Sequence, residues 1–318
     1  MKKKSISIIN FGLLMLLLLM TSFQEVKAQQ DPNYTQYMLN TMVINPAYVG
    51  SRGVVSIGGL YRSQWMGLEG APKTQTLNIE TPLAEKMGLG FSIVNDNIGD
   101  GTVQETYFDV AFSYTIKIDD YSSLAFGINA GGDLINIDFT NLINYGVEPN
   151  LTNIDNKFSP NFGIGAYYYT EKFYAGISVP GLLETEHFEN SDDSSSAFLT
   201  TNRMNFYLTS GYIFELDRKT KLRPSILVKA VGGAPLQVDL SASFLFNERF
   251  TAGAAYRFGS SLSALFGFQI TEKLMLGLAY DLATTQLGST TFNDGSFEVF
   301  LRFDFISRYR REVTNKFF

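Results

Sequence analysis

Short segments in which large apolar residues alternate with small or polar ones run along most of the chain. In the clearest, Leu274, Leu276, Leu278, Tyr280 and Leu282 share one face of an extended strand, while Lys273, Met275, Gly277, Ala279 and Asp281 share the other. A second sets Phe108, Val110, Phe112, Tyr114, Ile116 and Ile118 against Tyr107, Asp109, Ala111, Ser113, Thr115 and Lys117. A third sets Phe297, Val299, Leu301, Phe303 and Phe305 against Ser296, Glu298, Phe300, Arg302 and Asp304. A soluble sandwich turns its large residues inward as a core. Here the alternate positions are mostly small or polar, with Gly, Ala, Ser and Asn recurring along the chain, the pattern of strands with one face on lipid and the other on a polar lumen.

From Gly53 onward the alternation predicts fourteen strands, at about 53–64, 72–82, 87–97, 103–118, 122–136, 159–170, 172–180, 201–215, 221–231, 235–246, 248–259, 261–270, 273–283 and 295–306. Pro224, near the start of the ninth, must sit where the ladder needs no donor. A small charged turn recurs at Ala84-Glu85-Lys86, Thr170-Glu171-Lys172, Asn247-Glu248-Arg249 and Thr271-Glu272-Lys273. These turns, with Asp119-Asp120-Tyr121 and Glu215 to Thr220, all follow even-numbered strands. The long connections 137–158 and 181–200 follow odd-numbered ones. Short turns inside and long loops outside is the outer-membrane rule. The expected architecture is all-β: an up-and-down antiparallel transmembrane barrel of about fourteen strands, with both chain ends in the periplasm.

Residues 1–28 read as a secretory signal: Lys2, Lys3 and Lys4, an apolar stretch through Leu13 to Met20, then Val26-Lys27-Ala28 as the cleavage site. Cleavage after Ala28 leaves an N-terminal segment, 29–52, without a regular period and with a turn at Asn45-Pro46. That segment is either periplasmic or a plug; 53–306 form the barrel, and 307–318 a periplasmic tail carrying Arg308, Arg310, Arg311 and Lys316. Loss of the signal lowers Lys+Arg from 25 to 21 and Asp+Glu from 31 to 30, moving the net charge from −6 to −9. An acidic exported chain is a poor nucleic-acid binder. The chain has no Cys, which rules out disulfides, thiol-ligated metals and a lipoprotein anchor.

No catalytic or cofactor constellation emerges. The lone His187 stands among Glu184, Glu186, Glu189, Asp192 and Asp193, but without the alternate Asp/Asn positions and central Gly of a calcium loop, so we read a solvated acidic loop. A barrel hydrolase needs a His held near a Ser or Asp by neighbouring strands. Gly88/Gly90 and Gly163/Gly165 precede no helix and read as thin inward positions rather than phosphate loops. Trp65, the sole tryptophan, reads as an interfacial girdle residue or a partner contact. Arg52, Arg62, Arg257 and Arg302 read as lumen-facing and paired with acids, because a charge facing lipid at mid-depth costs about 2–4 kcal/mol.

The N-terminal segment carries a resemblance. Gln30-Asp31-Pro32-Asn33-Tyr34-Thr35-Gln36-Tyr37, Asn40 and Asn45-Pro46-Ala47-Tyr48-Val49-Gly50-Ser51-Arg52-Gly53 resemble the opening of the PorP/SprF family of type IX secretion membrane proteins. Tyr61-Arg62-Ser63-Gln64-Trp65, Gly70 to Thr76 and Gly88 to Asp96 look like that family's next blocks, so the motif-level match covers roughly residues 29 to 100. The resemblance implies a non-enzymatic outer-membrane component of the Bacteroidota secretion and gliding apparatus. Implied partners are the periplasmic PorK/PorN ring, a PorE-like peptidoglycan binder and a secreted cargo such as a surface adhesin. No catalytic residues or cofactors come with it. An Asn-Pro-Ala element also occurs near the start of FadL-like transporters, so a FadL-like barrel that passively carries hydrophobic small molecules is the alternative. Partner-binding or plug positions are expected at Tyr37, Asn45, Pro46, Ala47, Tyr48, Trp65, Arg308, Arg310 and Arg311.

Overall fold

The computed structural model describes residues 32–141, 153–187, 200–285 and 293–306. Fourteen antiparallel strands form a closed ring: β1 (Val55–Ser63), β2 (Lys73–Ala84), β3 (Met87–Ile98), β4 (Val103–Lys117), β5 (Ser122–Ile137), β6 (Ile154–Thr170), β7 (Phe173–Val179), β8 (Asn205–Tyr212), β9 (Thr220–Val231), β10 (Gln237–Phe246), β11 (Phe250–Arg257), β12 (Ser261–Gln269), β13 (Leu274–Ala283) and β14 (Ser296–Phe305). Each pairs with its sequence neighbours, and β1 closes on β14 from Val55↔Phe305 to Ser63↔Phe297. Phe214–Glu215 prolongs the β8 edge beyond Ile213. The ring agrees strand for strand with the count that alternation predicts.

Two strand starts differ by more than two residues. Strand β6 starts at Ile154 rather than 159, because its first residues pair with β5 across a bulge at Ile135/Ile137. The predicted eighth strand splits: Thr200–Asn202 leave the ring and pair with Thr185–His187. The backbone of His187 therefore belongs to a short ladder, while residues 188–199 of the acidic loop lie outside the described residues.

Alternation puts the large side chains outside. Ile128, Val110, Phe162 and Ile177 are among the exposed apolar residues of the wall, and Ser92, Ser113, Thr209 and Ser243 are among the buried polar ones. This is the inverse of a soluble fold, and it is stable only in lipid, where covering each large side chain is worth roughly 1.5–3 kcal/mol.

The hairpin turns explain their own sequences. At Thr170 and Thr271 the hydroxyl oxygen accepts N–H groups two and three residues on: Lys172 at 3.2 Å and Phe173 at 2.9 Å, Lys273 at 3.2 Å and Leu274 at 3.1 Å. Asp217 does the same for Lys219 and Thr220, at 2.6 and 2.8 Å, and Asp119 accepts from Tyr121 at 2.8 Å. These bonds to the charged form hold both carboxyls below their ordinary values. The β10–β11 turn places Asn247 and Glu248 at φ 52° and 56°, the left-handed pair that matches strand twist.

Candidate functional site: the filled lumen

Residues 34–49 lie inside the ring. Tyr34, Tyr37, Met38, Met42, Ile44, Ala47, Tyr48 and Val49 are buried and form two clusters with inward wall residues. One gathers Tyr48 against Tyr167, Tyr174 and Leu245; the other gathers Tyr37 and Ile44 with Leu60, Leu227 and Phe300. The Tyr48 and Tyr167 rings meet edge to face, 5.5 Å apart. The barrel's apolar core is therefore luminal, and more than a third of it is supplied by a segment that belongs to no strand.

The segment is compact because its sequence caps itself. A single turn of helix, α1 (Thr41–Ile44), ends at Asn45, whose side-chain oxygen accepts the Ala47 N–H at 2.9 Å. Asn45 thereby starts the 3-10 turn Pro46–Tyr48, where Pro46 stands at a position that needs no N–H.

Polar anchors tie both ends to the wall. At the long-loop end, Thr35 N and Gln36 N donate to the two oxygens of Glu298, at 2.9 and 2.8 Å, and the Thr35 hydroxyl donates to Asp281 at 2.8 Å. Arg62 holds both acids, 2.7 Å from Asp281 and 3.2 Å from Glu298. At the short-turn end, Gly50 N donates to Glu80 at 3.1 Å, Ser113 Oγ donates to Val49 O at 2.6 Å, and Arg52 pairs with Asp304 at 2.8 Å. Between them, Asn45 Nδ2 donates to Ala166 O at 3.1 Å and Asn78 donates to Asn40. Most ionic anchors lie on β1, β13 and β14, the strands flanking the seam where first and last strands meet.

The segment therefore descends from the long-loop end to the short-turn end before turning into β1. Residue 32, the first described, thus stands at the long-loop end, opposite the side expected of both chain ends. Pro32 and Asn33 stand beside long-loop residues such as Arg203 and Pro235, whereas Ile306 ends the described chain at the opposite side. The cause is the placement of Asp281 and Glu298 at the outer end of β13 and β14, where Glu298 receives the Thr35 and Gln36 N–H groups and Asp281 the Thr35 hydroxyl.

Glycines make the lumen wide enough. A Cβ on Gly127 would meet the backbone of Pro46 and Ala47, on Gly88 the Val49 carbonyl, on Gly165 the Asn45 side chain, and on Gly277 that of Gln36. Thin inward positions are thus seats for the luminal segment. Gly163 instead faces Asn129 and Pro180.

The residues singled out in the sequence divide three ways. Tyr37, Asn45, Pro46, Ala47 and Tyr48 meet in the lumen. Trp65 is half-buried in the β1–β2 loop at the long-loop end, apart from them. Arg308, Arg310 and Arg311 lie outside the described residues. The four arginines read as luminal do face acids: Arg257 pairs with Asp239 at 2.8 Å, and Arg302 lies 3.6 Å from Asp304. Sequence reasoning missed the anchors Thr35, Glu80, Asp281 and Glu298. For the three acids the signal was a carboxylate at an inward position of a strand.

One stretch of wall is irregular. After Val179, Pro180 and Gly181 interrupt β7, and the ladder resumes out of step, with Leu182 N donating to Phe162 O at 2.7 Å. The Pro180 carbonyl accepts from Asn129 Nδ2 at 3.0 Å. Beside this kink lies a cavity of about 130 Å³ lined by Pro32, Val43, Ile44, Tyr107, Pro180 and Tyr207, among others.

Among the described residues, no three His, Asp or Glu side chains gather as a metal site. No curated relative matches the sequence. Among solved structures, the chain is similar to a FadL homologue of Pseudomonas aeruginosa, with 12% identity, 88% of this chain and 96% of that chain covered, and a TM-score of 0.48. It is also similar to Omp33 of Acinetobacter baumannii, with 9% identity, 79% and 98% covered and a TM-score of 0.47. The toluene transporter TodX of P. putida gives 11% identity, 83% and 93% covered and a TM-score of 0.46. The sequence itself matches the family described as type IX secretion system membrane protein PorP/SprF over residues 26–303, nearly its whole length, and the chain belongs to that family.

Proposed function

We propose that this membrane component of the type IX system is a filled scaffold of the outer membrane, supporting export or surface anchoring of a cargo protein that bears a type IX C-terminal signal. The observation that carries this reading is the occupied lumen. A fourteen-stranded ring is narrow for a folded cargo, and here its bore holds residues 34–49 with anchors at both ends. Cargo, such as a surface adhesin, then docks on the long loops. The short turns and the tail with Arg308, Arg310 and Arg311 face the periplasmic PorK/PorN ring and a PorE-like peptidoglycan binder. Residues 1–28 act as the export signal, cleaved after Ala28, and the apparatus served includes gliding. Deletion of the gene tests this: the reading expects loss of at least one type IX cargo from the surface or medium, and unchanged secretion and gliding would refute it.

The kink at Pro180–Gly181 and the largely apolar cavity beside it favour a second reading, passive uptake of hydrophobic small molecules. Saturable fatty-acid uptake by reconstituted barrels would support it over the scaffold.

A further inference from the structure

At the long-loop end, described residues of four loops, the adjoining strand ends and the start of the luminal segment line an open cavity of about 340 Å³, within the range of ligand sites, roughly 300–1,000 Å³. Its sides carry Arg62, Lys229, Arg257 and Asp281; Gln64 and Trp65 flank them, and Asn33 contributes from the luminal segment.

The chemistry of the lining narrows the ligand. An apolar molecule would strand charged side chains without water. An inorganic anion would have to break existing pairs, because every cation is committed: Arg62 to Asp281 and Glu298, Arg257 in a fork to Asp239 at 2.9 and 2.8 Å, and Lys229 over the Tyr207 ring at 5.7 Å. A metal cation would compete with Arg62 for Asp281. What remains is a set of fixed donors and acceptors, its three cations offset by Asp281 in the lining and by Glu298 and Asp239 behind it, with amide side chains from Gln64 and Gln237 and an indole beside them. Such a lining suits a neutral, polyhydroxylated ring: its hydroxyls both donate and accept, and its C–H face packs on an aromatic surface.

Trp65 adds an independent observation. Its φ of 43° lies in the left-handed region that large residues rarely adopt. Three bonds hold it there: Trp65 N donates to Ser296 Oγ at 3.0 Å, Met66 N to Gly295 O at 2.7 Å, and Asp294 N to Met66 O at 2.7 Å. Backbone strain maintained by neighbouring loops is characteristic of ligand clamps. We propose that this outer cavity is a saccharide site taking one or two neutral sugar rings. It goes beyond the scaffold role, and neither depends on the other.

Trp65 is the only tryptophan in the chain, so its emission reports on the site directly. Full-length protein in a detergent without sugar headgroups is titrated with glucose, galactose, mannose, N-acetylglucosamine and maltose, with far-UV circular dichroism as the folding control. The expected result is a saturable emission change with at least one sugar, its affinity falling tenfold or more in Gln64→Ala and in Gln237→Ala while both remain folded. Failure of every sugar to saturate the signal would overturn the proposal. So would an equal response to triglycine or sodium acetate, or unchanged affinity in both folded variants.

Discussion

Glu298 is the residue on which the outer end of the luminal segment depends most. Its side chain is fully enclosed, and it accepts from two successive backbone N–H groups as well as from Arg62. Glu298→Ala leaves Thr35 N and Gln36 N without an acceptor and removes one partner of a buried ion pair. Breaking such a pair costs about 3–5 kcal/mol. Asp281 still holds Arg62 at 2.7 Å, and water entering from the mouth rehydrates the freed N–H groups, so the low end applies, about 3 kcal/mol. At 1.4 kcal/mol per decade, that raises the undocked fraction of the segment about a hundredfold. The chain lacks cysteine, so a single Met38→Cys reporter, at a position 5% exposed, can be followed by maleimide labelling of the purified barrel. Labelling should speed up about a hundredfold in the Glu298→Ala background. It should rise about tenfold in Glu298→Gln, which keeps one acceptor oxygen and orphans one N–H at about 1–3 kcal/mol. Glu248→Ala, which removes only the exposed pair with Lys221, should leave the rate unchanged. A rate in Glu298→Ala within threefold of the parent, or an equal rise in Glu248→Ala, would refute the anchoring argument.

Gly127→Ala forces a methyl group against the backbone of Pro46 and Ala47, which cannot move aside as a side chain would, and should destabilise the barrel by about 1–3 kcal/mol in denaturant titration. Gly232→Ala, where a Cβ meets nothing within 4 Å, should stay within about 0.5 kcal/mol in the same titration. An epitope placed before Pro32 should be reached by antibody on intact cells while one after Ile306 is not; the reverse would contradict the direction of the luminal segment. The Asp217 carboxyl is held low by the N–H groups it accepts, so its contribution to the β8–β9 turn is present above the ordinary carboxylate range and lost as pH falls through the depressed value. Amide exchange at Lys219 and Thr220 should lose protection on acidification in the parent, but not further in Asp217→Ala.

The wall was legible in the sequence because a strand's period of two is a local property. Each of the fourteen strands announces itself by residues a few positions apart, and lipid outside makes the rule hold on both faces at once. The Thr-Glu-Lys turns were legible for the same reason, since their hydrogen bonds span two or three residues. Pairing of the luminal arginines with acids also followed from one local fact, that charge cannot face hydrocarbon.

The site was legible only as a list of residue types. Nothing within 34–49 reveals that Tyr48 packs on Tyr167 or that Thr35 reaches Asp281, because those partners are remote in the chain. Gly88 and Gly165 read as thin positions; only closure of the ring supplies the Val49 carbonyl and the Asn45 side chain that fill the space above them. The direction of the luminal segment was likewise undetermined, since an aperiodic stretch feeding β1 can approach from either end. Sequence alone thus determined the wall and its two faces. The tertiary structure decided what fills it and which way residues 34–49 run through it, because both depend on acids of β13 and β14 that reach residues 35 and 36 only once the barrel has closed.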